Sequence, residues 1–202
     1  MISVSRKSPG LCVISLLLIA LSGCAATNPP SAQSPVVADQ HVGELGRDIL
    51  SLRDDVLAGE AQRAARIALE YSRQLAIEYE VTDSALLHNL KVNLGLKERG
   101  LCVDWTRDLM ARLQLEGFSS LDLHWGIANY ESAFRLEHST VIISARGDSL
   151  EQGLVLDPWR YSGDLYWAPA TQDPGYPWRP RDEIHVLKRQ HEAEARNRSV
   201  VR

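Results

Sequence analysis

Near Gly117 the spacing of apolar residues changes period, and this limits the chain to a fold in which helices precede a sheet. Before that point the apolar positions recur every three or four residues, which is the period of a helix face. Leu45, Ile49, Leu52 and Val56 mark a helix over residues 42–57, and Gly59 marks a break. Ile67, Ala68, Tyr71, Leu75 and Tyr79 mark a second over 60–80. Leu86, Leu87, Leu90 and Leu94 mark a third, capped by Thr82 or Asp83 and ended by Gly95. Beyond Gly117 the pattern alternates. Strands are predicted over 121–127, 138–145 and 153–157, with a weaker one over 164–168. Arg146-Gly147-Asp148 is a turn, and Pro158 is expected to stop the third strand. Residues 172–180 hold three prolines and predict an irregular loop, and the charged segment 181–202 predicts a frayed end or an exposed helix. Helices followed by strands define the α+β class.

At 202 residues the chain is one domain with room for a core, and 45% apolar residues is ordinary for a globular protein. A net charge of −4 with no basic face argues against nucleic acid as a partner.

Arg6 and Lys7 precede a short apolar run over 11–21, the pattern of an export signal and too short to span a bilayer. The run ends Leu21-Ser22-Gly23-Cys24, which resembles the lipobox of bacterial lipoproteins. The resemblance implies a signal over 1–23, cleavage before Cys24 and a lipid on Cys24. Ala25 in place of Asp implies the outer membrane, facing the periplasm. An ordinary signal cut near Ala25-Ala26 is the plainer alternative. Residues 24–41 then form a flexible tether, 42–185 a domain and 186–202 a charged tail. Cys12 leaves with the signal and Cys24 is consumed, so Cys102 is left alone in a compartment that favours disulfides.

Cys102 follows Gly100 and opens a helix whose apolar stripe is Trp105, Leu109 and Leu113. The positive end of a helix dipole favours a thiolate there, and the thiolate is the nucleophile. A small buried hydrophobe is the bland alternative. His138 opens a strand 36 residues later, and Asp157 ends the next strand 19 residues after that. A meander puts His138 and Asp157 on neighbouring strands at one end of the sheet. If the Cys102 helix starts at that end, thiol, imidazole and carboxylate converge, with His138 as base and Asp157 as its orienting group.

Gly100-Leu101-Cys102-Val103-Asp104-Trp105-Thr106, Glu137-His138-Ser139-Thr140-Val141 and Leu156-Asp157-Pro158-Trp159 resemble, in that order, the nucleophile, His and Asp segments of the transglutaminase-like branch of the papain-like cysteine enzymes. The resemblance covers residues 86–167. It implies a papain-like α+β fold and acyl transfer at an amide, with a protein or peptide substrate such as a cell-wall peptide. Hydrolysis is favoured over cross-linking, and no metal or organic cofactor is implied. The Cys102 backbone N–H is a natural oxyanion donor. The Gln of papain-like peptidases has no counterpart before Cys102, and Asn93 is the candidate in its place. A metal site from His124, His138, Asp157 and His185 lacks supporting ligand spacing. His41 and His191 read as surface residues. The competing reading is a non-catalytic binding or scaffold lipoprotein, in which His138 points away from Cys102.

Overall fold

The computed structural model describes residues 35–200, and the signal, Cys12, Cys24 and the tether as far as residue 34 lie outside the described residues. Four helices come first: α1 (Pro35–Leu50), α2 (Ala58–Glu78), α3 (Ala85–Asn93) and α4 (Cys102–Gln114). A five-stranded sheet follows, built from β1 (Leu121–Ala128), β2 (His138–Ala145), β3 (Leu154–Tyr161), β4 (Asp164–Pro169) and β5 (Arg179–Pro180), and α5 (Arg181–Val200) comes after it. The protein is α+β, with every strand pair antiparallel.

Helix α1 begins inside the segment expected to be tether. Pro35 opens it, where a fixed φ and a missing N–H cost nothing. It ends at Leu50 rather than 57, and Leu52 and Val56 reach the core from the following turn. The break therefore falls at 51–57, and Gly59 lies in the first turn of α2. A seven-residue connection between two packed helices makes them antiparallel. Gly46 of α1 lies against the Gln62 side chain of α2, which sets their register and puts the start of α1 beside the C-terminal half of α2.

Helix α3 corrects a second expectation. Its leucine stripe does not face the core: Leu86, Leu87, Leu90 and Leu94 are exposed, while Ala85 and His88 are buried. Ala85 and His88 are small or polar, so hydrophobicity alone chose the wrong face.

The sheet order is β4-β3-β2-β1-β5, a meander whose last strand returns to the free edge of β1. All eight residues of β2 are buried. Val141, Ile143 and Ala145 pack with Leu109 and Leu113 of α4 and with the alanines of α2. Ile142 packs on the opposite face with Val155 and Trp178. Strand β3 does not stop at Pro158. Asp157 pairs with Tyr166 and Tyr161 with Asp164, and the irregular register between them absorbs the proline, whose missing N–H needs no ladder partner there. The C-terminal segment is a continuous helix through residue 185, seated by fully buried Ile184.

A second cluster gathers one end of the molecule. Leu75 and Ala76 of α2, Tyr79 just after it, Ala85 of α3, Trp105 of α4 and Trp159 of β3 pack together, with Cys102 against them. Gly163 closes the β3–β4 turn here at φ +104°, where an added Cβ would lie 2.5 Å from the Ala76 Cβ. The other end is latched by Glu60, whose carboxylate accepts hydrogen bonds from the backbone N–H and hydroxyl of both Ser119 and Ser120.

Candidate active site

Cys102 is the first residue of α4, with Leu101 in extended conformation before it. The turn that aims it is held from two sides. Asp104 accepts the backbone N–H groups of Gly100 and Leu101 at 3.1 Å each, and the Trp105 indole N–H donates to the Gly100 carbonyl at 2.9 Å. Gly100 has φ +121°, and a Cβ there would lie 2.4 Å from Nε2 of His88. That ring is buried, and its Nε2 donates to the Arg99 carbonyl at 2.9 Å. His88 therefore occupies the space that a glycine leaves open. The Cys102 side chain is half-buried, with Sγ 3.9 Å from the Glu137 carbonyl oxygen.

His138 opens β2 directly after Glu137, so the residue that touches the thiol is the neighbour of the imidazole. Antiparallel pairing of β2 with β3 brings Asp157 beside it. His138 Nε2 donates to Asp157 Oδ2 at 2.7 Å, and both side chains are closed to solvent, at 2% and 0% exposure. Nδ1, at the other edge of the ring, is buried without a hydrogen-bond partner. Burial pulls the imidazole pKa down. The Asp157 carboxylate, and after it the thiol, outweigh burial and raise it to about 9. His138 and Asp157 meet in a hydrogen bond, and Cys102 reaches the start of the same strand at the Glu137 carbonyl.

Asp157 is itself held by a network. Oδ1 accepts the backbone N–H of Trp159 at 3.1 Å and of Arg160 at 3.2 Å, and Oδ2 accepts Arg160 Nε at 3.1 Å. The Arg160 guanidinium reaches on to Asp173 through two hydrogen bonds of 2.8 Å. Asp173 also accepts the Trp178 indole N–H at 2.9 Å and the Tyr166 hydroxyl at 3.2 Å. Burial works against charge on Asp173, but Arg160 first, then Trp178, hold its pKa below the usual carboxylate range. The rings of Tyr166 and Tyr176 lie 3.9 and 4.4 Å from the guanidinium carbon, in cation–π contact. Trp159, Tyr176 and Trp178 wall the imidazole at centroid distances of 4.6, 5.2 and 5.5 Å.

Asn93 does not join the site. It is the exposed last residue of α3 and makes no hydrogen bond to the cleft. The asparagine of α3 that meets the site is Asn89, one turn earlier, whose Oδ1 accepts the Trp159 indole N–H at 2.9 Å. His124 pairs with the Ser144 hydroxyl at 2.7 Å, a local strand contact. His124, His138, Asp157 and His185 share no site, and among the described residues no three acidic, His or Cys side chains are placed to hold a metal.

Sequence reasoning passed over Arg160, Asp173, Asn89 and His88. Arg160 had a signal: it stands three residues after Asp157, across the turn that Pro158 forces. Asp173 lies in a proline-rich stretch read as irregular loop, and nothing local ties it to Arg160. No family model, curated protein or solved structure matches the chain.

Proposed function

We propose that the protein is a cysteine hydrolase or acyltransferase of the transglutaminase-like, papain-like type, held by a lipid on Cys24 at the periplasmic face of the outer membrane. The observation that carries this reading is the buried His138–Asp157 pair, with the free Nδ1 edge of the ring left to the thiol at the start of α4.

The parts act in sequence. At neutral pH the raised imidazole holds a proton, and the thiolate beside it is stabilised by that charge and by the N-terminus of α4. The sulfur attacks an amide carbonyl and forms the C–S bond. The Cys102 backbone N–H, unused by its helix because it lies in the first turn, faces the developing oxyanion. As the C–N bond breaks, Nδ1–H gives its proton to the departing amine and a thioester remains on Cys102. Water then loses a proton to Nδ1 and attacks the thioester, and the C–S bond breaks to release a carboxylic acid. Asp157 keeps Nε2–H in place throughout, so Nδ1 is always the nitrogen that exchanges the proton. Hydrolysis of a protein or peptide amide, including wall peptide, is favoured over transfer to an amine because water is the abundant acceptor in that compartment.

The test is to incubate the purified protein with envelope peptides, quench in acid and weigh the intact chain. A mass increment that maps to Cys102, is removed by hydroxylamine and is absent in Cys102→Ser supports acyl transfer. No adduct under any substrate mixture, together with unchanged peptides, supports the scaffold reading.

A further inference from the structure

The end of the molecule that holds Cys102 is also the end from which the chain leaves toward its N-terminus. The register of α1 on α2 sets the start of α1 beside the C-terminal half of α2. The cluster of Leu75, Ala76, Trp105 and Trp159 joins that half of α2 to Cys102 and to the start of α3. Much of the exposed apolar surface lies at this end, although Leu115, beyond the far end of α4, is also exposed. On α3, Leu86 and Leu90 are 62% and 52% exposed, and Leu94 and Leu96 just after it are 64% and 69% exposed. In the loop that leads into His138, Phe134 is 99% exposed. Leucines that core packing does not use, gathered on one short helix, mark an interaction surface.

We propose that the leucine face of α3 seats on the surface of a lipid bilayer, so that the cleft at Cys102 opens next to the membrane. This rests on the lipid-anchor reading of Cys24 made above. From Cys24 to residue 34 there are eleven residues, which span at most about 40 Å when fully extended. An anchor there keeps the start of α1, and with it α3, close to the lipid at all times. The chemistry of the face fits an apolar phase better than a charged partner. The nearest lysines are already neutralised, Lys91 by Asp83 and Lys97 by Glu80, each at 2.5 Å. Among the described residues no helix is long and apolar enough to cross a membrane, so a nine-residue helix with one leucine face lies on the surface rather than through it. Substrates would then be met at the membrane surface.

The test uses the chain from residue 25 onward, which lacks the lipid but keeps every core residue, and vesicles of phosphatidylethanolamine and phosphatidylglycerol. Co-sedimentation is expected, and it should fall by at least about tenfold in Leu86→Ser/Leu90→Ser/Leu94→Ser. Melting temperature and Cys102 alkylation report whether that variant stays folded, and Leu90→Ser alone should give a partial loss if it does not. Cys102→Ser should bind like the parent, which separates this inference from the catalytic reading. The mass of Cys24 in protein extracted from native membranes tests the anchor by itself. A parent chain that stays in the supernatant overturns the proposal, as does binding that the serine variants leave unchanged. A parent that is a dimer by light scattering and becomes monomeric in the serine variants overturns it in favour of a second copy of the chain.

Discussion

The imidazole of His138 and the carboxylate of Asp157 meet at 2.7 Å through Nε2, which leaves Nδ1 buried without a hydrogen-bond partner. In the serine-protease triad the carboxylate takes Nδ1 and the nucleophile takes Nε2. Here the carboxylate takes Nε2. The reason is local: His138 is the first residue of its strand, and Asp157 reaches it from the neighbouring strand across a buried face.

Asp157→Asn should leave the fold in place and remove the tautomer control. The neutral amide keeps a hydrogen bond to Nε2 but no longer holds a proton there. Turnover of any substrate found should fall by a factor on the order of 10³–10⁴, by analogy with the same change in serine enzymes. Circular dichroism and steady-state kinetics on one preparation check it.

Stability should depend on the His138 proton. Burial disfavours the charged ring, but Asp157 and then the thiol raise its pKa from 6.5 to about 9. The folded state thus holds the proton more tightly than the unfolded chain. The stability this brings is complete below about pH 6.5 and is lost as pH rises through about 9, and it amounts to no more than about 3 kcal/mol. Urea denaturation of the native chain should lose this increment over that window, and His138→Gln should show no such slope.

The Arg160–Asp173 pair should be costly to break from one side. Both side chains are largely buried, at 15% and 0% exposure. Arg160→Met leaves two buried carboxylates without their cation and should cost about 3–5 kcal/mol. Arg160→Met/Asp173→Asn should cost less than the sum of the single changes. Chemical denaturation of the four proteins in a double-mutant cycle checks it.

Gly100→Ala should lower both stability and thiol reactivity. At φ +121° any side chain is strained, and the new methyl would run into the buried His88 ring. A loss of about 1–3 kcal/mol is expected, with slower Cys102 alkylation because the turn that aims the thiol must shift. Thermal melts and alkylation rates of the variant give both readouts.

The sequence was most legible where one property decides the structure. The run Thr140-Val141-Ile142-Ile143 gave β2 with its observed ends, because β-branched residues suit a strand buried on both faces. The stripe of Trp105, Leu109 and Leu113 gave α4 from Cys102 onward. The order of Cys102, His138 and Asp157 was readable because a meander brings residues at the start of one strand and the end of the next together. Other features depended on contacts between distant residues. The outward leucines of α3 broke the rule that apolar faces point inward, and the inward face was set by His88 under Gly100 and Asn89 on Trp159. Pro158 was read as a stop because a proline cannot join a regular ladder, but an irregular register leaves it without a partner to satisfy. The clamp on Asp157 needed Asp173, sixteen residues away in a loop with no periodicity.

Alkylation of Cys102 by iodoacetamide across pH tests the central claim most directly. In the native protein the thiol should react readily at pH 6, and His138→Ala should slow that reaction at least about tenfold while leaving the rate at pH 9.5 close to native. Equal rates in both proteins at every pH, rising only as a free thiol titrates near pH 8.5, would mean that sulfur and imidazole do not work as a pair.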